Sequence, residues 1–291
     1  MKSTPMPQNT YALIDCGGGR KLEQFGDFLI DRPAGQAVWQ PKSPSKTWKK
    51  AHARLDREGE SHWTGREALP ETWQATIEGI RFKLKLTDFG HIGVFPEQMP
   101  FWKWIRETVS KCREERPFSF LNLFAYSGGA SCAAAQGGAE VCHVDASRGM
   151  VAWARENAEL NALENSPIRW IVDDAIKFLQ REEKRGKRYD GIILDPPSFG
   201  RGAKGEVFKL EEHLPRLLQL CTALLSETPT FFLLSCHTPG YTPIVLQQIL
   251  QEVLQRTDGE FEAGEMWIEA DSGVKLPSGA YSRWQSRGIS C

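Results

Sequence analysis

The sequence predicts an α/β protein: an open, mostly parallel sheet with helices on both faces, preceded by a small β-rich domain. Three observations predict it. From Phe118 onward, short apolar strands alternate with helical stretches, a pattern that demands a sheet covered on either side. These strands are rich in branched and aromatic residues throughout, as strands buried on both faces should be. The first stretch has another texture, rich in Gly, Pro and Trp with short alternating segments. A boundary is therefore expected that gives domains 1–95 and 96–291.

In the first domain, ATIEGIRFKLKL (75–86) alternates apolar and polar residues around Glu78-Gly79 and predicts a β-hairpin. In the second, the expected strands are SFLNLF (119–124), EVCHVD (140–145), IRWIVD (168–173), YDGIILD (189–195) and TFFLLSC (230–236). Between them lie four helical stretches: GGASCAAAQGG, SRGMVAWARENAELNAL, DAIKFLQREEKR and EVFKLEEHLPRLLQLCTALLS. Met150, Trp153, Ala154 and Asn157 share one face of the second, so Trp153 is expected in the core. Pro243 suits the first turn of a further helix, TPIVLQQILQEVLQ. The tail offers two last strands, GEFEAGEMWIEA and AYSRWQSR.

Composition narrows the function. The chain of 291 residues is 41% hydrophobic, enough for one large domain and a smaller one. It holds no apolar run near the ~20 residues of a membrane span, and its first ten residues do not read as a secretory signal. Seven cysteines lie singly, without C-x-x-C pairs or zinc spacing, so free thiols, no metal and a cytoplasmic location are expected. The 36 basic and 37 acidic side chains nearly cancel, so a nucleic-acid site must be a local patch. One candidate is the segment Lys42–Arg57, with Lys46, Lys49, Lys50 and Arg54 near Trp39 and Trp48. It is either a phosphate- and base-binding patch or a solvated helix face.

Ligands of such sheets bind beyond the carboxyl ends of the strands, and the residues there form a coherent series. After the first strand comes FAYSGGAS (124–131), where Gly128 and Gly129 permit a sharp turn and close ligand approach. Asp145 follows the second strand, where acids accept from ribose hydroxyls in nucleotide folds. Asp173 and Asp174 follow the third; one is suited to an adenine amino group, with Asp174 favoured, and the other to capping the next helix. After the fourth comes Asp195-Pro196-Pro197-Ser198-Phe199. Two prolines stiffen that turn, the Asp195 carboxylate and a proline carbonyl offer paired acceptors to a planar amine, and Phe199 offers a ring to stack on. There is no G-x-x-x-x-G-K-[ST] and no complete G-x-G-x-x-G, which speaks against an ATPase or a dehydrogenase.

With these pieces in view, the chain from about His91 onward resembles the class I S-adenosylmethionine-dependent methyltransferases. It looks most like the bacterial 23S ribosomal RNA enzymes that modify cytosine carbon 5 or guanine nitrogen 7. The resemblance rests on HIGVFPEQ (91–98), NLFAYSGGAS (122–131), VDAS (144–147), WARENAELNAL (153–163), VDDAIKFL (172–179), LDPPSFG (194–200) and LLSCH (233–237). It covers roughly two-thirds of the chain in family order. It implies a Rossmann-like sheet, S-adenosyl-L-methionine as cofactor and ribosomal RNA as partner. Phe124, Tyr126, Ser127, Gly128 and Gly129 would cradle the methionine part, Asp145 and Ala146 meet the ribose, Asp173 or Asp174 the adenine, and Asp195 the junction with substrate. The chain departs from the pattern in two ways. It is expected to lack a PUA module, and His91 and Met99 stand where relatives have basic residues.

Cytosine carbon 5 is not a nucleophile, so enzymes that methylate it first add a thiolate to carbon 6. Cys236, at the end of the fifth strand, holds the family position for that thiol, with His237 as a possible assistant. Equally, it is a core residue at a strand end, and the acceptor is then a ring or exocyclic nitrogen. The loop Gly200–Gly205, with Arg201 and Lys204, is a substrate lid or a plain surface loop. Two other readings of function stay open: a methyltransferase for a protein side chain or small molecule, and an inactive scaffold that binds RNA or cofactor. Asp88-Phe89-Gly90 spells a kinase signature but lacks its companion motifs, and Gly17-Gly18-Gly19 is a turn.

Overall fold

The computed structural model describes residues 9–56, 62–113, 116–201, 205 and 207–288. The chain divides into two compact units, Met1–Met99 with Trp267–Ser278, and Pro100–Met266 with Gly279–Cys291.

The first unit is β-rich. Strands β1 (Tyr11–Gly17), β2 (Arg20–Phe25), β3 (Phe28–Pro33), β4 (Ala53–Asp56) and β5 (His62–Thr64) form one sheet in that order, and helix α1 (Ser45–Trp48) lies between β3 and β4 in sequence. Strands β6 (Trp73–Ile77) and β7 (Ile80–Leu84) make the expected hairpin. Its turn is Glu78-Gly79, with φ of 48° and 72°. Two positive φ values in a two-residue loop match the twist of the strands it joins. The tail segment belongs here because Ala270 bridges to Leu13 and the Ser272 hydroxyl donates to Asp15 Oδ1 at 2.9 Å.

The second unit opens with helix α2 (Met99–Arg113). The alternation then runs β8 (Ser119–Leu123), α3 (Gly129–Gln136), β9 (Glu140–Asp145), α4 (Arg148–Leu160), β10 (Ile168–Val172), α5 (Ala175–Lys184) and β11 (Gly191–Leu194). A short ribbon follows, β12 (Phe199–Arg201) and β13 (Val207–Lys209). Then come α6 (Leu210–Ala223), β14 (Phe231–Cys236), α7 (Pro243–Leu254), β15 (Gly259–Glu269) and β16 (Lys275–Ser286). The seven-stranded sheet has the order β10-β9-β8-β11-β14-β16-β15. Its first five strands, β10 to β14 in that order, run parallel, and β16 lies antiparallel against β14. The central strands are apolar on both faces: every residue of β11 and β14 is buried. One packed cluster joins Leu121, Leu123, Ile192, Leu194, Phe232 and Leu234 to Phe178, Leu214 and Leu250 from three helices. Trp153 is buried, as expected of its helix face.

One expectation is corrected. The stretch EVFKLEEHLPRLLQLCTALLS does not begin as helix: Val207–Lys209 pair as a strand with Phe199–Arg201, and the helix starts at Leu210. Val207 and Phe208 are strand formers, and the ladder to β12 satisfies backbone groups that a lone first helical turn leaves open. Among the described residues, no helix is long and apolar enough to cross a membrane.

Candidate functional site

The strand order reverses between β8 and β11, where chain connections leave in opposite directions and open a crevice at the strand carboxyl ends. The loop after β8 is held in an unusual shape. Phe124 and Tyr126 have φ of 54° and 49°, and Gly128 has φ of 88°. Two side-chain-bearing residues in the left-handed region cost about 1–2 kcal/mol each, a strain that persists only where surroundings impose it. Here the constraints are visible. The Tyr126 N–H donates to Asp145 Oδ2 at 2.9 Å, and buried Asn157 on α4 donates from Nδ2 to the Ser127 carbonyl at 2.8 Å. A Cβ on Gly128 would sit 3.0 Å from that of Ala154, and one on Gly129 only 2.6 Å from the Trp102 ring. The two glycines let α3 start tight against α2 and α4.

Asp145 ends β9, and its other oxygen accepts from the Ser147 N–H at 2.8 Å. Burial pushes this carboxyl above the usual aspartate range, against the pull of the two N–H donors. Each oxygen keeps a further lone pair for a hydroxyl donor. Ala146, between these contacts, is half-buried. At the end of β10 the two aspartates divide their work. Asp174 Oδ1 caps α5 by accepting from the Lys177 N–H at 2.9 Å, while Asp173 is ion-paired with Arg181 and accepts from the Asp174 N–H. The cap thus falls on the residue favoured for the ligand. One carboxylate oxygen suffices for a cap.

At the end of β11, Pro196 is buried, Pro197 is exposed and Phe199 is 51% exposed, with the Arg201 guanidinium over its ring. Asp195 Oδ2 lies 3.1 Å from His237 Nε2, and the Thr238 hydroxyl donates to that of Ser198 at 2.9 Å. The loops after β11 and β14 are therefore tied together twice. Cys236 is 1% exposed, and the Thr238 N–H points at its sulfur at 3.4 Å. Burial raises this thiol above its ordinary value, and the Asp195 charge adds to the effect. The Nε2 of His237, the possible assistant of that thiol, faces Asp195. Sequence reasoning also missed Asn157; its signal was an amide on the apolar face that carries Trp153 and Ala154. Of the loop Gly200–Gly205, residues 202–204 lie outside the described residues.

In the basic segment of the other unit, Trp39 Nε1 donates to the Cys16 carbonyl and Trp48 Nε1 to Asp15 Oδ2. Lys42, Lys46, Lys49 and Lys50 are exposed, Arg54 pairs with Asp31 and Asp56, and Arg57 lies outside the described residues. Among the described residues, no group of three or more His, Cys, Asp or Glu could hold a metal ion.

A glycine turn and acceptor carboxylates at adjacent strand ends around a topological switch point define a nucleoside-binding α/β protein. Residues 36–257 match the family model of S-adenosylmethionine-dependent methyltransferases, and the chain belongs to that family, with S-adenosyl-L-methionine as its cofactor. A solved S-adenosylmethionine-dependent methyltransferase from Agrobacterium tumefaciens is 42% identical, with a TM-score of 0.91, over 96% of this chain and 91% of that one. Ribosomal RNA large subunit methyltransferase K/L of Chromohalobacter salexigens is 33% identical over 175 residues, 60% of this chain. The chain spans only 23% of that protein's length. Ribosomal RNA large subunit methyltransferase K of Neisseria meningitidis serogroup B is 31% identical, over 76% of this chain and 64% of its own. The donor set fits the cofactor: Asp145 keeps lone pairs for hydroxyl donors, beside a turn in which Gly128 and Gly129 carry no side chain.

Proposed function

We propose that the protein methylates a nitrogen of a base in large-subunit ribosomal RNA. When bound, the cofactor supplies an electrophilic methyl group on a sulfonium sulfur. A nitrogen acceptor needs alignment more than acid–base help, and the chain's residues are suited to align it. The backbone of Phe124–Gly129 cradles the amino-acid end, Asp145 takes the ribose and Asp174 the adenine amine. Asp195 and the Pro196-Pro197 turn hold the base, and Phe199 stacks on it. The names of the curated relatives support RNA as the substrate, as does the exposed aromatic ring paired with a cation beside Asp195.

The observation that carries the choice of nitrogen over carbon 5 is the state of Cys236. A nucleophilic cysteine needs access and a lowered pKa; this one is buried and its pKa is raised. Labelled methyl transfer to ribosomal RNA from a strain lacking the protein, followed by nucleoside mass analysis, tests the reading. Methylation at a base nitrogen, kept within about threefold in Cys236→Ala, is expected. Loss of transfer in that variant would move the acceptor to carbon 5. Transfer to ribosomal proteins but to no RNA would replace the substrate class.

A further inference from the structure

On the reading above, His237 takes no part in holding the cofactor or in attacking a base, yet its place is closely defined. It follows β14 directly and meets Asp195 across the gap to β11, Nε2 to Oδ2 at 3.1 Å. A second tie, Thr238 to Ser198, locks the same two loops at 2.9 Å. On the neighbouring strand β16 stands Gly279, with φ of 134°. A Cβ there would lie 2.7 Å from the Cys236 carbonyl oxygen and 3.2 Å from His237 Nδ1. A side chain there would crowd the backbone of Cys236 and press on the imidazole.

We propose that His237 is a positioning residue of the acceptor site: its Nε2–H fixes the Asp195 carboxylate as acceptor for a base N–H, and it must be neutral during methyl transfer. The proposal rests on the nitrogen-acceptor reading above. Its physical basis is simple. An ionised carboxylate only accepts, so Nε2 carries the hydrogen in this contact, and neutral His237 leaves the full charge of Asp195 facing the base. As the methyl group reaches nitrogen, the S–C bond breaks with its electron pair left on sulfur, and positive charge passes to the base. A neutral imidazole beside a carboxylate tolerates that charge; an imidazolium opposes it. Asp195 from the β11 loop faces His237; of the neighbouring titratable groups, Cys236 feels the Asp195 charge, and Tyr241 those of Cys236 and Glu211 of α6. Burial raises both Cys236 and Tyr241, so they stay neutral at acidic pH.

The test compares His237→Ala and His237→Gln with the wild type, using labelled S-adenosylmethionine and unmodified large-subunit ribosomal RNA across pH. His237→Ala should lower kcat ~10- to 100-fold, the loss of one charge-assisted hydrogen bond. Cofactor affinity by calorimetry should stay unchanged. His237→Gln, which keeps an amide donor but cannot take up a proton, should recover most of kcat and lose the acid limb of the profile. An acid limb that persists in His237→Gln, or equal losses in both variants, would overturn the proposal. No transfer by the wild type itself would fell the RNA-base reading, and this inference with it.

Discussion

Asp145 illustrates how one side chain serves both loop and ligand. Its two oxygens hold the Tyr126 and Ser147 N–H groups at 2.9 and 2.8 Å, and burial raises its pKa. Asp145→Asn should therefore weaken S-adenosylmethionine binding ~10- to 100-fold in calorimetry, because charge-assisted acceptors are lost. The sign with pH follows from the raised pKa. Cofactor affinity should fall on acidification earlier than an ordinary aspartate would cause, as protonation removes an acceptor oxygen. At the same scale, the sequence favours Asp174 over Asp173 for the ligand but does not say which of them caps α5. Only coordinates show that one caps α5 while the other answers Arg181.

Among elements, the start of α3 carries the tightest constraint. Gly129 faces the Trp102 ring, where an added Cβ would come within 2.6 Å. Gly129→Ala should destabilise the protein by about 1–3 kcal/mol through overpacking. By thermal melting, a drop of about 2–4 °C per kcal/mol is expected for a unit of this size. Surplus cofactor should restore part of it through linkage. The β12–β13 ribbon is the element that pattern alone misassigned. Val207–Lys209 read as the start of an apolar-periodic helix, yet their partners, Phe199–Arg201, lie on the far side of a loop. Period cannot reveal a strand whose pairing is decided elsewhere in the chain.

Across the whole second unit, acid stability should follow two buried groups. His143 is fully buried beneath α3, bonded to Ser131, which also accepts from Asn122. Burial, aided by Arg155, pushes its pKa from 6.5 down to about 3. The unfolded chain takes up this proton below about pH 6.5 while the folded one does not, so stability falls as pH drops from there toward 3. The full effect is on the order of 5 kcal/mol. Glu182 acts in the same sense. Burial pushes it up, but donors from Arg169, Tyr189 and Arg185 prevail and hold it at about 2. Its contribution is lost as pH falls from 4.5 toward that value. Urea titrations at pH 4 and 7 should show the decline, and His143→Asn should flatten the slope between pH 4 and 6.5.

The amino-acid sequence by itself determined the parallel sheet, its helices and the series of strand-end residues. Apolar strands, helical faces and punctuating Gly, Pro and Asp are local signals, and local energetics write them into the chain. Tertiary structure alone decided which partners those residues meet. It buried Cys236, turned His237 to Asp195 and forced Phe124 and Tyr126 into left-handed backbone. Burial and long-range hydrogen bonds depend on segments tens of residues apart, and it is they that set a side chain's charge, reach and strain.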